Sequence, residues 1–469
     1  MAVLTVALSS ANLPADNDWY RLLHSCSLES ALDLTGIANA LPDHYPYLLD
    51  SAAPGPLGEH SLLLRTSGEQ LCSYSKGRIS GPGEAGDFLS RLDDWYQREQ
   101  QATYDKNTWP FIGGWFLYLG YELAAEIEPI VDFPEAHDGF PIAFASRCPG
   151  VIYSRPEQPG ILHLVAENEA LLDEMRGQLE NLRVEPDDVN TELTLLRSDP
   201  PVFFEQAVER IHEYILDGDV FQVNLSRGWH GEFDKTANVD ALYRSLRKSN
   251  PAPFAGMVRW NNHVLMSSSP ERLVSISKGV VQSRPIAGTR PRGADRDSDQ
   301  ALSRELLQHP KERAEHIMLI DLERNDLGRV CETGTVEVDE LMVVETYEHV
   351  HHIVSNVRGR LRSEVTPVDV IRAVFPGGTI TGCPKVRCME IIAELEQRGR
   401  SFYTGSFGYL GLDGTMDLNI LIRSMLLNDR KISFRTGAGI VADSKPENEV
   451  AETEDKARGL LKALGEHHV

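Results

Sequence analysis

The sequence predicts an α+β fold built from antiparallel β-sheets with flanking helices. Strands joined by two-residue turns recur in its second half, as where Gly256–Trp260 turns at Asn261-Asn262 into His263–Ser268. Helices interrupt these meanders without a regular strand–helix–strand alternation. These two observations favour antiparallel sheets over a parallel sheet covered by helices. No internal sequence repeat is evident.

Length, composition and net charge limit the class of function. The 469 residues suffice for two core-forming units or one large intertwined domain. A hydrophobic content of 41% with 25% charged residues is typical of a globular protein. The net charge of −24 argues against a nucleic-acid partner, because phosphate backbones need a basic face. An anionic substrate would need a cation between it and the protein, and a divalent metal is one solution.

Cysteine usage and hydropathy bear on location. The six cysteines form no CxxC pair, which argues against a zinc or redox motif and fits a reducing cytoplasm. We therefore expect a cytoplasmic protein. The apolar N-terminus has no basic residue before Arg21, so a short strand is favoured over a signal peptide. No run of 18 apolar residues exists, so no membrane span is expected.

The chain divides into three predicted regions. Residues 1–166 form a β-rich region, in which the aromatic, glycine-rich Trp109–Tyr121 indicates a buried strand. Residues 167–200 are an acidic linker with a helix. Residues 201–469 open with an amphipathic helix over Phe204–Ile215. Later predicted elements are strands at 220–227, 271–277, 280–283, 335–345, 348–357, 404–410, 416–427 and 432–435, and helices at 298–328 and from about 447 to 464.

The stretch Phe375–Glu390 combines a glycine-rich loop with a predicted helix start at Pro384. Free backbone N–H groups and the positive end of the helix dipole make such a place a candidate anion site. An ordinary loop before a helix is the alternative.

Two pairs of glutamates lie three residues apart on predicted helices. Glu312 and Glu315 project from one helix face, and Glu449 and Glu452 do the same on the last helix. Four such carboxylates facing each other would suit Mg²⁺, which prefers oxygen ligands. The alternative is that they are solvated helix acids, and the spacing of Glu452 and Lys456 as an i,i+4 ion pair supports it.

Further polar residues lie in predicted strands. His352 points to the opposite strand side from His349 and His351, and is either a general acid or base or a packed histidine. Arg423 lies among apolar neighbours in mid-strand, where it either clamps a carboxylate or pairs with an internal acid. The glycines of Gly437–Gly439 allow close backbone approach to a ligand or mark a strand bulge.

Six motifs taken together resemble the chorismate-utilising enzymes: RPIAGTRPRG (284–293), ERAEHIMLIDLERNDLGRV (312–330), HHIVS (351–355), FPGGTITGCPKVR (375–387), GSFGYLG (405–411) and GAGIVADS (437–444). The resemblance covers about residues 200–465 and is looser in the N-terminal third. It implies layered antiparallel sheets flanked by helices and a chorismate-binding region over 201–469.

Two branches of the family fit. VFQVNL and FPGGTITG are similar to the branch that adds ammonia to give 4-amino-4-deoxychorismate for 4-aminobenzoate and folate synthesis. Ala287 is similar to the branch that makes anthranilate, since many folate-branch enzymes carry a lysine there. Gln222 stands where the water-using relatives carry a lysine base; glutamine cannot act as that base, which favours ammonia as the nucleophile.

The resemblance also implies residue roles. Glu315 and Glu452 would bind Mg²⁺, with Glu312 and Glu449 completing the acidic shell. Residues expected to touch the substrate are Gln222, Ala287, Thr379, Lys385, Tyr409, Arg423, Gly437, Ala438 and Gly439, of which Tyr409 and Arg423 would hold the enolpyruvyl carboxylate. The expected catalytic residues are Glu271, His352 and Glu312, the first two as acid and base for the leaving hydroxyl and the incoming amine.

A regulatory site and partner proteins are implied as well. Ser51, Pro251 and Phe254 fall where relatives have a tryptophan pocket between the halves. The chain carries no glutaminase nucleophile motif, so a separate glutamine amidotransferase is expected to supply ammonia. A lyase acting on the product would complete 4-aminobenzoate.

Overall fold

The computed structural model describes residues 24–53, 60–101, 109–183, 192–293, 295–346 and 350–466. In these residues two antiparallel sheets, one of 12 strands and one of 11, stack with helices around them. The strands are β1 (His24–Glu29), β2 (Tyr47–Asp50), β3 (Ser61–Arg65), β4 (Gln70–Tyr74), β5 (Arg78–Ser80), β6 (Gly114–Leu119), β7 (Ala143–Cys148), β8 (Gly150–Ser154), β9 (Ile161–Ala166), β10 (Leu193–Ser198), β11 (Gln222–Phe233), β12 (Phe254–Trp260), β13 (His263–Ser269), β14 (Arg272–Ser277), β15 (Val280–Ser283), β16 (Ile286–Pro291), β17 (Glu337–Thr346), β18 (Val350–Arg360), β19 (Gly382–Cys383), β20 (Ser406–Gly411), β21 (Met416–Asn419), β22 (Ser424–Asn428) and β23 (Lys431–Ile440). The helices are α1 (Leu34–Ala40), α2 (Phe88–Glu99), α3 (Glu169–Asn181), α4 (Pro201–Leu216), α5 (Val239–Ser249), α6 (Arg296–Gln308), α7 (Pro310–Gly328), α8 (Pro367–Val374), α9 (Lys385–Glu396) and α10 (Pro446–Ala463).

Both sheets draw strands from both halves of the chain. The first sheet runs β1-β9-β8-β3-β2-β12-β13-β22-β23-β11-β10, and β19 pairs with β11. The second runs β16-β18-β15-β14-β21-β20-β6-β7-β4-β5, and β17 pairs with β18. The halves join where β2 pairs with β12 and β6 pairs with β20. The α+β prediction is confirmed, and the predicted regions 1–166 and 201–469 share one pair of sheets.

The strand order repeats within the chain. Strands β1 to β9 pair with one another in the same order as β11 to β15 and β20 to β23, with β1–β9 matching β11–β23 and β4–β7 matching β14–β21. A structural repeat is therefore present although no sequence repeat is evident. The repeat places two equivalent crossing points between the sheets, one in each half.

Aromatic and aliphatic side chains fill the space between the sheets. Tyr47 of the first sheet stacks on Phe116 of the second, with ring centroids 4.2 Å apart. Leu64, Phe144 and Leu426 belong to the same buried cluster. This layer is the core of the sandwich.

Most predicted elements are confirmed. The hairpins β12–β13 and β14–β15, the buried strand β6 and the last helix lie where the patterns place them. The predicted single strand 416–427 is wrong, because β21 ends at Asn419 in the second sheet and β22 begins at Ser424 in the first. The predicted N-terminal strand and His349 lie outside the described residues. Among the helices that are described, none is long and apolar enough to cross a membrane.

The inter-sheet layer predicts a stability effect. Phe116→Ala removes a fully buried ring of the second sheet that packs against Tyr47 of the first. It should lower the free energy of unfolding by about 3–5 kcal/mol. Phe203→Ala, at a ring that is 66% exposed, should change it by less than about 0.5 kcal/mol. Urea unfolding followed by circular dichroism measures both, and equal effects of the two substitutions would contradict this view of the core.

Candidate functional site

The candidate site is built where two neighbouring chain segments cross between the sheets, in opposite directions. One segment links β13 to β14 and carries Glu271; the other links β21 to β22 and carries Arg423. The Ile420 N–H donates to the Glu271 carbonyl at 3.0 Å, and the Ser268 N–H donates to the Arg423 carbonyl at 3.1 Å. Arg423 adopts a left-handed backbone conformation with φ of 53°, which is unusual for a residue other than glycine. The crossing therefore brings an acid and a cation together.

Glu271 is a buried carboxyl, 7% exposed. Burial raises its pKa to about 7, while the Thr379 hydroxyl and the cations Arg423 and Lys456 act in the opposite direction. Its Oε1 has no hydrogen-bond partner among the described residues. A carboxyl with a pKa near neutrality can donate and accept a proton at physiological pH.

Arg423 lies beside Tyr403, Glu452 and Glu271, and burial lowers the pKa of its guanidinium. Within the described part of the chain it makes no ion pair. Buried arginines are normally paired, so the open partner position here suits an anionic ligand that can accept two hydrogen bonds. Of the two readings from the sequence, an internal salt bridge or a carboxylate clamp, the geometry favours the clamp.

His352 lies on β18 next to this arginine. Burial lowers the pKa of its imidazole to about 4, and the Arg423 cation contributes in the same direction, while Glu345 opposes it. A hydrogen bond to the Gly288 backbone also favours the protonated ring. His352 is therefore a neutral imidazole near pH 7, able to accept a proton or to donate one hydrogen bond.

A glycine-lined strand edge forms another wall. A Cβ on Gly437 would lie 2.7 Å from the Tyr403 hydroxyl, and one on Gly439 would lie 2.3 Å from Gln222 Nε2. Lys456 Nζ donates to the Gly437 carbonyl at 3.0 Å. Ala438, between the glycines, is fully buried. A larger residue at 437 or 439 would clash with these side chains, so the glycines let Tyr403 and Gln222 pack directly against the strand.

Three buried polar atoms of these residues lack partners among the described residues: Gln222 Oε1, Glu271 Oε1 and Thr379 Oγ1. Buried polar groups are hydrogen-bonded in most folded proteins. Glu271, one of the three, lies beside Arg423, which makes no ion pair in the described chain. This favours a site completed by a polar, anionic ligand.

Other predicted substrate residues have partners of their own. Lys385 Nζ donates to Asp326 at 2.5 Å and to the Val374 carbonyl at 3.2 Å. Ala287 is buried in β16, paired with Ile353 of β18. The Lys385 side chain at the start of α9 is thus engaged within the protein, and an anion site at this helix start stays a prediction.

The four glutamates of the predicted metal shell are not gathered. No group of three or more histidine, cysteine or acidic residues in the described chain is arranged to hold a metal ion. Glu452 pairs with Lys456 at 2.5 Å, as the solvated-acid alternative expects. Glu312 pairs with Arg290 at 3.2 Å, with both side chains largely buried. Glu449 is 8% exposed. Mg²⁺ is usually held by one or two carboxylates completed by water, so its binding by a pair of these glutamates stays a prediction.

Tyr409 lies away from Arg423, in a separate cavity of about 330 Å³ that Ser51, Phe254 and Arg272 also line. Pro253 lines this cavity, whereas the predicted Pro251 does not. The Ser51 hydroxyl donates to the His60 carbonyl at 2.9 Å. The pocket between the halves is present; that it binds tryptophan stays a prediction, which calorimetric titration with tryptophan would measure.

Sequence reasoning missed Tyr403 and Lys456 as site residues. Tyr403, not Tyr409, stands between Arg423 and Gly437. The two tyrosines lie six residues apart, and no sequence pattern shows which of them faces the arginine. Lys456 was considered only as the partner of Glu452, although its amino group also reaches Gly437.

Fold and candidate site together place a titratable acid, an arginine and a neutral imidazole close to one another, an arrangement typical of an enzyme that binds a small anion. The sequence model of the chorismate binding enzyme family matches residues 55–462, so the chain belongs to that family.

Curated relatives and a solved structure agree with this assignment. The chain is 42% identical to an anthranilate synthase component I-like protein of Synechocystis over 92% of this chain and 87% of the relative. It is 38% identical to aminodeoxychorismate synthase component 1 of Bacillus subtilis over 81% and 82%. The crystal structure of anthranilate synthase component I from Streptococcus pneumoniae matches with a TM-score of 0.76 and 32% identity, over 87% of this chain and 93% of the other.

The electrostatics of the site predict a measurable coupling. Arg423→Met removes a cation that disfavours the imidazolium form of His352, so the pKa of His352 should rise. Nitrogen-15 NMR of the histidine rings measures this, with Arg360→Met, at a side chain 69% exposed, as the control. An unchanged His352 titration in Arg423→Met would show that the two residues do not interact.

Proposed function

We propose that the chain is an aminodeoxychorismate synthase component I, which replaces the 4-hydroxyl of chorismate with an amino group from ammonia. The supporting observation is the composition of the site. Arg423, which makes no ion pair in the described chain, lies beside the near-neutral carboxyl of Glu271. The Gln222 side chain lies against Gly439, and its amide oxygen has no partner among the described residues. An amide cannot deprotonate water but can accept a hydrogen bond from ammonia.

Two residues divide the proton transfers. The leaving hydroxyl departs as water, so it needs a proton, and Glu271 with a pKa near 7 can supply it. The attacking ammonia must lose a proton, and His352 is neutral and able to accept it because burial and Arg423 lower its pKa. One proton is given and one is taken, so the exchange of hydroxyl for amine balances.

Substrate positioning falls to the cationic end of the site. The planar Arg423 guanidinium can make a bidentate pair of hydrogen bonds with the enolpyruvyl carboxylate. The Tyr403 hydroxyl lies beside the Gly437 backbone, where it can donate a second hydrogen bond to the same group. Holding the substrate in this way orients the ring against Glu271 and His352.

We include Mg²⁺ as the cofactor, held by Glu315 and Glu452 with Glu312 or Glu449 in support. When bound, it would neutralise the ring carboxylate of the substrate and stabilise developing negative charge. Glu452 already lies near Arg423, which connects this helix to the substrate site. A protein with a net charge of −24 gains most from such a cation.

The ammonia is proposed to come from a glutamine amidotransferase subunit. A lyase would then release 4-aminobenzoate from the product for folate synthesis, and the proposed location is the cytoplasm. The Bacillus subtilis relative is an aminodeoxychorismate synthase component 1, which supports this assignment of the partners.

A second candidate is anthranilate synthase component I. Ala287 favours it, because a lysine at this place in β16 would be available to attack the substrate ring and alanine is not. The names of the Synechocystis relative and the Streptococcus structure favour it as well. The two candidates differ in the ring carbon that receives the amine, and the product separates them.

The product is the first test. Purified chain incubated with chorismate, Mg²⁺ and an ammonium salt should yield 4-amino-4-deoxychorismate, identified by mass, and 4-aminobenzoate only after a lyase is added. Glu271→Gln should lower kcat by about 10²- to 10⁴-fold. Fluorescent anthranilate formed without a lyase would transfer the proposal to the second candidate, and unchanged turnover in Glu271→Gln would remove that residue from the mechanism.

The metal is tested separately from turnover. Calorimetric titration of the chain with MgCl₂ in the presence of chorismate should show binding that Glu315→Gln weakens at least about tenfold. Glu332→Gln, at a side chain 46% exposed, is the control. Equal Mg²⁺ affinity in Glu315→Gln and the wild type would exclude Glu315 as a ligand.

A further inference from the structure

Helix α7 carries a buried carboxyl that the proposed mechanism does not use. Glu323 is 5% exposed. A Cβ on Gly378 would lie 3.6 Å from its Oε1, and the Ser283 hydroxyl is within hydrogen-bonding reach. It therefore lies against the same glycine-rich loop that carries Thr379.

No ion pair neutralises Glu323 within the described residues. The nearest cation, Lys385, is held by Asp326 at 2.5 Å and by the Val374 carbonyl. A buried carboxylate without a counter-ion is costly. A methionine of similar length would avoid that cost, so a purely structural explanation of a glutamate here is weak.

The charged groups that face Glu323 come from three directions. Asp326 lies on its own helix, Lys385 on α9 and Glu271 on the crossing from β13 to β14. Two consecutive loop residues connect the two glutamates, because Gly378 contacts Glu323 and the Thr379 hydroxyl acts on Glu271. Glu323 and Glu271 thus lie on either side of one short loop.

The carboxyls of Glu271 and Glu323 both have a pKa near neutrality. Burial raises the pKa of Glu271 to about 7, and burial together with the Asp326 charge raises the pKa of Glu323 to about 7. The charge of Glu271 acts in the same direction on Glu323. Two interacting acids of this kind titrate as a pair, since ionising one disfavours ionising the other.

We propose that Glu271 and Glu323 hold one proton between them, which makes Glu323 a positioning residue that keeps Glu271 in its acid form. Before the reaction Glu271 carries the shared proton and Glu323 is ionised. When Glu271 gives this proton to the leaving hydroxyl, the O–H bond on Glu271 breaks and an O–H bond of the departing water forms. Glu271 then regains a proton from solvent, and the proton taken from ammonia by His352 returns to solvent, so the cycle closes without another reactant. The catalytic consequence rests on the proposed function; the pairing itself does not.

The substitution Glu323→Met tests the proposal, because a paired acid and a merely structural glutamate predict different pH profiles. If the two acids are paired, loss of the neighbouring charge moves the alkaline limb of kcat/KM for chorismate to lower pH by about one unit, which is about a tenfold loss on that limb. Activity on the acid side of the limb should change little. Asp321→Asn, which removes an exposed carboxylate from the same helix, should leave the limb in place.

A merely structural glutamate gives a different result. Turnover would then fall equally at all pH values, or stay unchanged while the protein gains stability, and either outcome overturns the proposal. Infrared titration of the carboxyl band that is lost in Glu271→Gln provides a measurement without turnover. That band should ionise at lower pH in Glu323→Met, and also in Glu323→Gln should the methionine variant fail to fold. A shifted band in a chain without amination activity would overturn the proposed function and leave the pairing intact; an unshifted band would overturn the pairing.

Discussion

The candidate site depends on two hydrogen-bonded chain segments that pass together from one sheet to the other. Because Ile420 bonds to the Glu271 carbonyl and Ser268 to the Arg423 carbonyl, the backbone itself fixes an acid and a cation at one place. Regular strands would continue within their own sheets. The site forms because the β13–β14 and β21–β22 links cross between the sheets side by side. The polar groups then meet at the end of the inter-sheet core, where burial is high enough to shift their protonation.

The repeat of strand order supplies an internal comparison. In the N-terminal half, β3 passes to β4 and β7 to β8, and the same pattern of bonds recurs: Arg147 N–H donates to the Glu69 carbonyl at 2.9 Å, and Ser67 N–H donates to the Arg147 carbonyl at 2.9 Å. There the arginine is paired, with Glu99 and with Glu167, both at 2.7 Å. Arg423 at the matching crossing has no such pair in the described chain. The same topology therefore holds a structural ion cluster in one half and a candidate anion site in the other.

Sequence patterns predicted much of this fold because hairpins carry local signals. Asn261-Asn262 and Lys278-Gly279 mark turns in the residues themselves. The crossing at Arg423 carries none: LNILIRSML has the apolar run of a single buried strand, and periodicity does not show in which sheet a residue lies. The candidate residues Glu271, His352 and Arg423 were identified from motifs and are brought together. Spacing along one strand does not show that Tyr403, and not Tyr409, lies beside Arg423. Nor does spacing along two helices show whether their four glutamates face each other, because both questions depend on how distant segments are arranged.

The balance of charges around Glu271 has a consequence for catalysis. Burial raises its pKa, while Arg423 and Lys456 lower it, and the net value is near 7. A ligand carboxylate that pairs with Arg423 offsets one of the two cations and brings negative charge near the acid. Both effects favour the protonated form of Glu271. In the proposed reaction, an anionic substrate would therefore promote protonation of the acid that its own leaving group requires. The same change suits His352 as a base, because offsetting Arg423 raises its pKa as well and makes it a stronger proton acceptor. One unpaired arginine thereby links substrate binding to both proton transfers.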